Sequence, residues 1–249
     1  FYYFQNPRIC CFMKIPNTKN RSREAEIMDD FELRGNDLRK TLNDLDKINK
    51  WLGGNSITIQ GVKKLLKTHP IPDPVRIADI GCGSGAVLRE LATWGRKAGV
   101  NLQLIGIDAN PHAVGIAREL SRDYPEIEFA EHNIFNNEFQ NRKFDVILCT
   151  LTLHHFKNPE IISIMNNFCR QAEIGIVIND LHRSKSAYIL FQAFCAVFIS
   201  NEIARKDGLI SILRGFKRKD LKMLASKIPA TKQDISWQWA FRFRWIIKT

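Results

Sequence analysis

The stretch V-R-I-A-D-I-G-C-G-S-G-A occupies residues 75–86, and the fold of this 249-residue chain can be predicted outward from it. Its short apolar run, which ends at Asp79, predicts a buried strand, and the apolar face of residues 87–92 predicts a helix. The turn between strand and helix is made with three glycines, Gly81, Gly83 and Gly85. Glycines permit a tight turn and close approach of a ligand, and the N–H groups that start the helix favour an electron-rich group. The stretch therefore predicts a ligand site.

Two cofactors are compatible with this turn. The spacing Gly81-x-Gly83-x-x-Ala86 satisfies the dinucleotide pattern. Asp79 favours another cofactor, because a carboxylate so close to the turn would repel a pyrophosphate but attract the ammonium of a methionine moiety. The sequence Asp-x-Gly-x-Gly-x-Gly resembles the first motif of the class I S-adenosylmethionine-dependent methyltransferases. The resemblance implies S-adenosyl-L-methionine as cofactor, S-adenosyl-L-homocysteine as product, and methyl transfer as the activity.

The rest of the chain fits an α/β fold. Further strands are predicted at residues 102–107, 127–131, 144–150 and 174–178, with helices between them. This alternation predicts a doubly wound, mostly parallel sheet with helices on both faces. Residues 235–247 are rich in β-branched and aromatic side chains and are expected to add an antiparallel C-terminal hairpin. With the resemblance, the sheet is expected to have seven strands.

The predicted organisation has three parts. Residues 1–20 are expected to be disordered or an upstream segment, residues 21–73 an N-terminal helical cap, and residues 74–249 the methyltransferase domain with a substrate-lid insertion near residues 183–215.

Within the cap, leucines and isoleucines recur every three or four residues after Asp37, which predicts a helix that Asp37 caps and Gly53 ends. A second helix is predicted at residues 56–67. These helices are expected either to cover the cofactor or merely to pack on the sheet. Residues 21–31 are expected to be partly ordered at best, and residues 208–216 to form a loop.

Polar residues at the ends of predicted strands complete the expected cofactor site. Asp108 ends the second strand, where a carboxylate accepts hydrogen bonds from ribose hydroxyls. Asn133 offers an amide oxygen to the adenine amine, and Ile134 and Ala109 are expected to flank the adenine ring. The cofactor-binding residues expected from the resemblance are Asp79, Gly81, Gly83, Gly85, Asp108, Ala109, Asn133, Ile134 and Thr150.

The expected catalytic residues follow the fourth and fifth strands. Some sugar O-methyltransferases of the superfamily have a similar His-His pair and a following Asp, which implies that His154 or His155 is the base and Asp180 its partner. His182 is a further base candidate. The alternative is that these histidines are only hydrogen-bonded structure. No metal site is predicted, because no carboxylate–histidine cluster has a ligand spacing along the sequence.

The charge of +11 is concentrated at one end of the chain. Residues 181–249 contain 14 basic and 4 acidic side chains. Such a segment is compatible with nucleic acid, an anionic membrane or an acidic substrate, or with a solvated basic face. The six cysteines form no C-x-x-C pair, and no signal peptide or membrane span is recognised, so we expect reduced thiols and a cytoplasmic location.

The apolar residues 187–200 suggest the acceptor. Four of their aromatic side chains, at helical spacing, form either ordinary core or the wall of an apolar pocket: Tyr188, Phe191, Phe194 and Phe198. Three further segments are similar to small bacterial secondary-metabolite methyltransferases: R-S-R-E-A-E-I-M-D-D at residues 21–30, I-N-K-W-L-G-G at residues 48–54 and L-R-G-F at residues 213–216. Together with this similarity, the aromatic face predicts a small hydrophobic, phenolic or polyketide-like acceptor methylated on oxygen. The alternatives are a nucleic-acid methyltransferase, an NAD-dependent oxidoreductase and a non-enzymatic cofactor-binding module. The oligomeric state stays open, and a dimer is one of the alternatives.

Overall fold

The structure, a computed structural model, describes residues 16–230 and 232–249. Within these residues one sheet contains seven strands: β1 (Val75–Ile80), β2 (Leu102–Asp108), β3 (Ile127–Glu131), β4 (Phe144–Thr150), β5 (Ala172–Leu181), β6 (Lys232–Gln238) and β7 (Arg242–Lys248). Their order is β3-β2-β1-β4-β5-β7-β6. The first five are parallel, whereas β7 pairs antiparallel with both β5 and β6. The predicted sheet and its C-terminal hairpin are confirmed.

Helices cover both faces of the sheet. In the described residues they are α1 (Gly35–Trp51), α2 (Gly54–Leu66), α3 (Ala86–Ala98), α4 (Pro111–Leu120), α5 (Asn137–Gln140), α6 (Asn158–Gln171), α7 (Lys185–Phe198), α8 (Glu202–Arg214) and α9 (Arg218–Ala225). Successive residues of β4 enter different cores: Ile147 packs with α6 and α9, and Val146 with α2, α3 and α4. The chain reverses its direction of winding between β1 and β4, where ligands gather in open α/β sheets. Among the described helices, none has the length and apolarity required to cross a membrane.

The two N-terminal helices have different roles. Val62 and Leu65 of α2 are fully buried against the sheet. α1 instead lies over the glycine turn, where Ser84 Oγ donates to the Asp46 carboxylate at 2.6–2.7 Å. α2 therefore packs on the sheet, whereas α1 packs on the glycine turn. Asp37 does not cap α1, contrary to the sequence prediction: it lies in the first turn of the helix, and Arg34 is the N-cap residue.

Two local predictions are wrong. Residues 208–216 belong largely to α8, because Gly208 is not a helix breaker here: a Cβ atom at this position would lie 2.5 Å from Phe191, so glycine lets α7 and α8 pack closely. Residues 21–31 are ordered, because Arg21 and Asp29 are held by partners in the site described below. Of the segment predicted at residues 1–20, residues 1–15 lie outside the described residues.

Candidate functional site

A cavity of about 700 Å³ opens at the carboxyl ends of the central strands. Its volume is in the range of 300–1,000 Å³ that small-molecule and cofactor sites usually have. The glycine turn and the residues that follow β2 and β3 form one side. The residues that follow β4 form another, and α1 and α7 close the cavity opposite the sheet.

The glycines of the turn are required by its backbone. Gly81 has a φ of 69°, and a Cβ atom there would lie 2.4 Å from Thr152 Oγ1. The N–H of Gly83 donates to Asp108 Oδ2 at 2.9 Å, so the turn is tied to the end of β2. Gly85, with a φ of 76°, caps α3 and allows the close approach of Phe129; it does not line the cavity.

Asp79 is a buried carboxyl group without a partner for one of its oxygens. It is 2% exposed and lines the cavity, and its Oδ1 has no hydrogen-bond partner among the described residues. Burial, reinforced by the charge of Asp108, raises the pKa of Asp79 to about 8. Asp108 itself accepts from the N–H groups of Gly83 and Asn110. A cation placed in the cavity beside Asp79 would stabilise its ionised form.

The other expected cofactor residues also line the cavity: Ala109, Asn133, Ile134 and Thr150. Asn133 is exposed, and its Oδ1 accepts from the N–H of Phe135 at 3.0 Å, which leaves the other lone pair for a ligand. The Thr150 hydroxyl instead bonds the Thr58 hydroxyl of α2 at 2.9 Å.

His154 is fixed by Asp180, as the sequence suggested. The Nδ1 of His154 lies 2.7 Å from Asp180 Oδ1, its backbone N–H donates to Oδ2, and both side chains are buried. Burial opposes protonation of His154, but the charges of Asp180 and Glu26 outweigh it and raise the pKa of the imidazole to about 9. The Nε2 of His154 faces Glu26 Oε1 at 3.4 Å.

His155 is the more accessible member of the pair. Its side chain is 26% exposed, its ring centroid lies 4.4 Å from that of His154, and its Nδ1 lies 2.6 Å from Asp29 Oδ1. Its Nε2 is 3.9 Å from Glu26 Oε2. An acceptor in the cavity can therefore reach His155 more readily than His154. His182, the further base candidate, does not line the cavity.

Glu26, Asp29 and Arg214 join this site although the sequence analysis did not select them. Arg214 donates to Asp29 Oδ2 at 2.6 Å and to the carbonyl of His155 at 2.8 Å. Arg21 donates to the carbonyl of His154 at 2.7 Å. The similarity noted for residues 21–30 and 213–216 contained Arg21, Glu26, Asp29 and Arg214, and it was the one signal that pointed to these residues.

Part of the lining of the cavity is apolar. Phe191 and Phe194 of α7 line it, whereas Tyr188 and Phe198 do not. The apolar stripe of α1 and the residue that follows the helix also line the cavity, through Leu38, Leu42, Leu45, Ile48 and Leu52. The last three belong to the same hydrophobic cluster as Phe191 and Phe194. The predicted aromatic face of α7 thus contributes two of its four members.

Comparisons with known proteins agree with this geometry. Residues 77–175 match the family described as a methyltransferase domain. The chain is 30% identical over 138 residues to a ubiquinone biosynthesis O-methyltransferase of Azoarcus sp. (strain BH72), which covers 52% of this chain and 54% of that protein. It is 29% identical over 111 residues to a carboxy-S-adenosyl-L-methionine synthase of Campylobacter lari, over 44% and 45% of the two chains. The chain therefore spans about half the length of these relatives.

Solved structures share the fold over most of the chain. A plantazolicin methyltransferase, BamL, in complex with a triazolic desmethylPZN analog and SAH, superposes with a TM-score of 0.63 at 18% identity, covering 84% of this chain and 90% of that one. The magnesium protoporphyrin IX methyltransferase of Synechocystis PCC 6803, with bound SAM, superposes with a TM-score of 0.52 at 14% identity, covering 87% and 85%. Residues 77–175 thus resemble a methyltransferase domain, and the chain has the fold of these solved S-adenosylmethionine-dependent methyltransferases.

Proposed function

We propose that the protein transfers the methyl group of S-adenosyl-L-methionine to a hydroxyl group of a small hydrophobic, phenolic or polyketide-like acceptor. The observation that carries the proposal is Asp79, a buried carboxyl group at the glycine turn with an unpartnered oxygen. The cofactor's ammonium would supply the missing partner. Asp108, at the end of the neighbouring strand, would accept hydrogen bonds from the ribose.

The rest of the cofactor has a complementary surface. Ala109 and Ile134 provide apolar contacts on the cavity wall for the adenine ring, and Asn133 provides an acceptor for the adenine amine. Methyl transfer then depends chiefly on holding the acceptor oxygen in line with the sulfonium methyl group. In the proposed arrangement the acceptor lies between the bound cofactor and α7.

The aromatic and aliphatic wall supports a hydrophobic acceptor. The apolar faces of α1 and α7 line this side of the cavity, and among the lining residues of the described chain only Arg214 and Arg242 are basic apart from histidines. Both arginines are buried within the protein. The acceptor hydroxyl is proposed to lie beside His155, with His154 and Asp180 behind it.

The nucleic-acid alternative is less well supported by this charge distribution. Part of the basic C-terminal segment is used inside the fold: Arg183 is 1% exposed and pairs with Asp220, and Arg214 pairs with Asp29. A nucleic-acid groove would need exposed Lys and Arg interleaved with aromatic residues.

The proposed location is the cytoplasm. The described cysteines are free thiols, in keeping with this location.

The cofactor class is tested by calorimetry of S-adenosylhomocysteine and NADH with the same protein. We expect saturable binding of the former alone. Tight NADH binding without S-adenosylhomocysteine binding would reject the proposal in favour of an oxidoreductase.

The acceptor class is tested with phenols that carry alkyl chains of increasing length. Each methylene buried in the cavity adds up to about 0.8 kcal/mol, so kcat/KM is expected to rise several-fold per added carbon until the cavity is filled. Activity is also expected to vary little with salt. A preference for RNA, with activity falling steeply as salt rises, would instead establish the nucleic-acid alternative.

A further inference from the structure

Glu26, His154 and His155 place three donor atoms within 4.8 Å of one another in the cavity. We call these three residues the carboxylate–histidine cluster. Glu26 Oε1 and His154 Nε2 face each other at 3.4 Å, yet neither has a hydrogen-bond partner among the described residues, and both are inaccessible to water. Buried polar atoms are rarely left without a partner, so this pair indicates that something belongs between them.

The Nδ1 atom of each imidazole already has a carboxylate partner. His154 Nδ1 contacts the Asp180 carboxylate at 2.7 Å, and His155 Nδ1 contacts the Asp29 carboxylate at 2.6 Å. A carboxylate that accepts from Nδ1–H holds the ring in one orientation, and in the neutral imidazole it leaves a lone pair on Nε2, from which a metal ion would displace any proton. Histidines that bind metal ions are oriented in the same way. Both Nε2 atoms are directed toward the two oxygens of Glu26.

The distances in the cluster suit a metal ion. Bonds of about 2.0–2.2 Å to nitrogen and oxygen place neighbouring ligand atoms roughly 3–3.5 Å apart. The 3.4 Å between His154 Nε2 and Glu26 Oε1 falls in this range. The 3.9 Å between His155 Nε2 and Glu26 Oε2 would close with a small rotation of the half-buried His155 ring.

The surrounding charge also suits a cation. Four carboxylates and two guanidinium groups lie in or around the cluster, namely Glu26, Asp29, Asp180, Asp207, Arg21 and Arg214. With both imidazoles neutral their sum is −2. Arg214 Nη1 lies 3.5 Å from Glu26 Oε1 but is paired at 2.6 Å with Asp29. Either two protons on the imidazoles or one divalent cation would neutralise the group.

We propose that Glu26, His154 and His155 bind one divalent transition-metal ion through a carboxylate oxygen and the two Nε2 atoms. Two imidazoles and one carboxylate favour ions such as Zn²⁺, Mn²⁺ or Fe²⁺ over Mg²⁺ and Ca²⁺, which prefer oxygen ligands. The more exposed edge of the cluster, at His155, faces the cavity, so the remaining coordination positions are open to an acceptor oxygen.

The role of the ion rests on the proposed function, whereas its binding does not. An acceptor hydroxyl bound to the ion would lose its proton to solvent water more easily, because a Lewis acid stabilises the oxyanion. The cation would thus replace the imidazole base expected from the sequence. The carboxylate–histidine cluster would then be a metal site, although none was predicted from the sequence.

The test is metal binding to the 249-residue chain after dialysis against a chelator. Zn²⁺ is titrated in competition with a chromophoric chelator, and Co²⁺ is added separately to record its visible absorption spectrum. We expect one tight site per chain, a Co²⁺ spectrum of nitrogen and oxygen ligation, and a rise in Tm with Zn²⁺. Glu26→Gln and His155→Ala are expected to weaken the site about a hundredfold or more.

Matched controls come from the same chain. Glu24→Gln changes an exposed carboxylate two residues from Glu26, and His112→Ala removes an exposed imidazole; both are expected to keep the site. Circular dichroism checks that each variant is folded. No saturable Zn²⁺ binding by the wild type, or tight binding that folded Glu26→Gln retains, would overturn the inference. Calorimetry of S-adenosylhomocysteine on the same samples reports the cofactor site separately, so failure of the metal site and failure of the proposed function are distinguishable.

Discussion

Replacing Asp79 by Asn is expected to stabilise the protein at neutral and alkaline pH and to weaken cofactor binding. The pKa of Asp79 is about 8 in the folded state against 3.8 as its ordinary value, because burial penalises the charged form. Below pH 3.8 the carboxyl is protonated in both states. As the pH rises toward 8 the unfolded chain releases the proton and the folded chain keeps it, so the wild type loses stability. Asn cannot ionise, and this loss is absent from the variant.

The magnitude follows from the two pKa values. They differ by about 4 units, and at about 1.4 kcal/mol per unit the difference amounts to an upper limit of about 6 kcal/mol, reached near pH 8. Water that enters from the cavity will reduce it, so we expect a gain of about 2–4 kcal/mol between pH 4 and pH 8. The cost of burying the Asn amide does not depend on pH and leaves this slope unchanged.

Urea unfolding of Asp79→Asn and wild type across pH 4–9 measures the slope, and the exposed Asp123→Asn serves as the matched control. Binding of S-adenosylhomocysteine provides the second measurement. At pH 7 a carboxyl with a pKa of about 8 is mostly protonated, so binding of an ammonium should release about 0.9 proton per complex from Asp79 of the wild type. The Asn side chain of the variant has no ionisable proton, so this release should be absent. Parallel stability curves for the two proteins, together with equal proton release, would refute the assignment of Asp79 as the unpaired carboxyl of the cofactor site.

Three further outcomes are expected. Asp108→Ala should weaken S-adenosylhomocysteine binding by roughly 1–3 kcal/mol in calorimetry, because ribose hydroxyls lose their acceptor; unchanged affinity would exclude that contact. Phe191→Ala should lower kcat/KM for an alkylphenol about tenfold, whereas Phe198→Ala, which truncates a side chain 59% exposed and outside the cavity, should not; equal effects would place the acceptor elsewhere. Arg183→Ala should destabilise the fold by about 3–5 kcal/mol in urea unfolding, because Asp220 loses its partner; a loss below about 1 kcal/mol would show that the pair is dispensable.

The sheet and the cofactor half of the site could be predicted because their signals are local. Apolar runs mark the strands, glycines mark the turn, and polar residues come directly after strand ends. Parallel strands bring those ends to one edge, so Asp79 and Asp108 meet without any knowledge of the intervening helices.

The acceptor half could not be predicted in the same way. His155 is paired with Asp29, 126 residues earlier in the chain, and no periodicity links the two. The charge of residues 21–31 predicted poor order, but the Asp29–Arg214 ion pair and the hydrogen bond from Arg21 to the carbonyl of His154 offset the desolvation of those charges. Gly208 was interpreted as a loop residue because close packing of Phe191 against it is a tertiary contact.

The difference between the two halves of the proposed site bears on how the acceptor can be identified. The family match, residues 77–175, contains the glycine turn, Asp108 and the histidine pair, but it excludes Glu26, Asp180 and the aromatic wall of α7. A match over that range reports mainly how the cofactor is held. Cavity-lining segments on either side of the matched range supply carboxylates and apolar surface, so differences in acceptor among relatives should arise there. Exchanging α7 between this chain and a relative should therefore alter the preferred alkyl-chain length while leaving the affinity for S-adenosylhomocysteine within about threefold, because cofactor and acceptor contacts lie on separate elements.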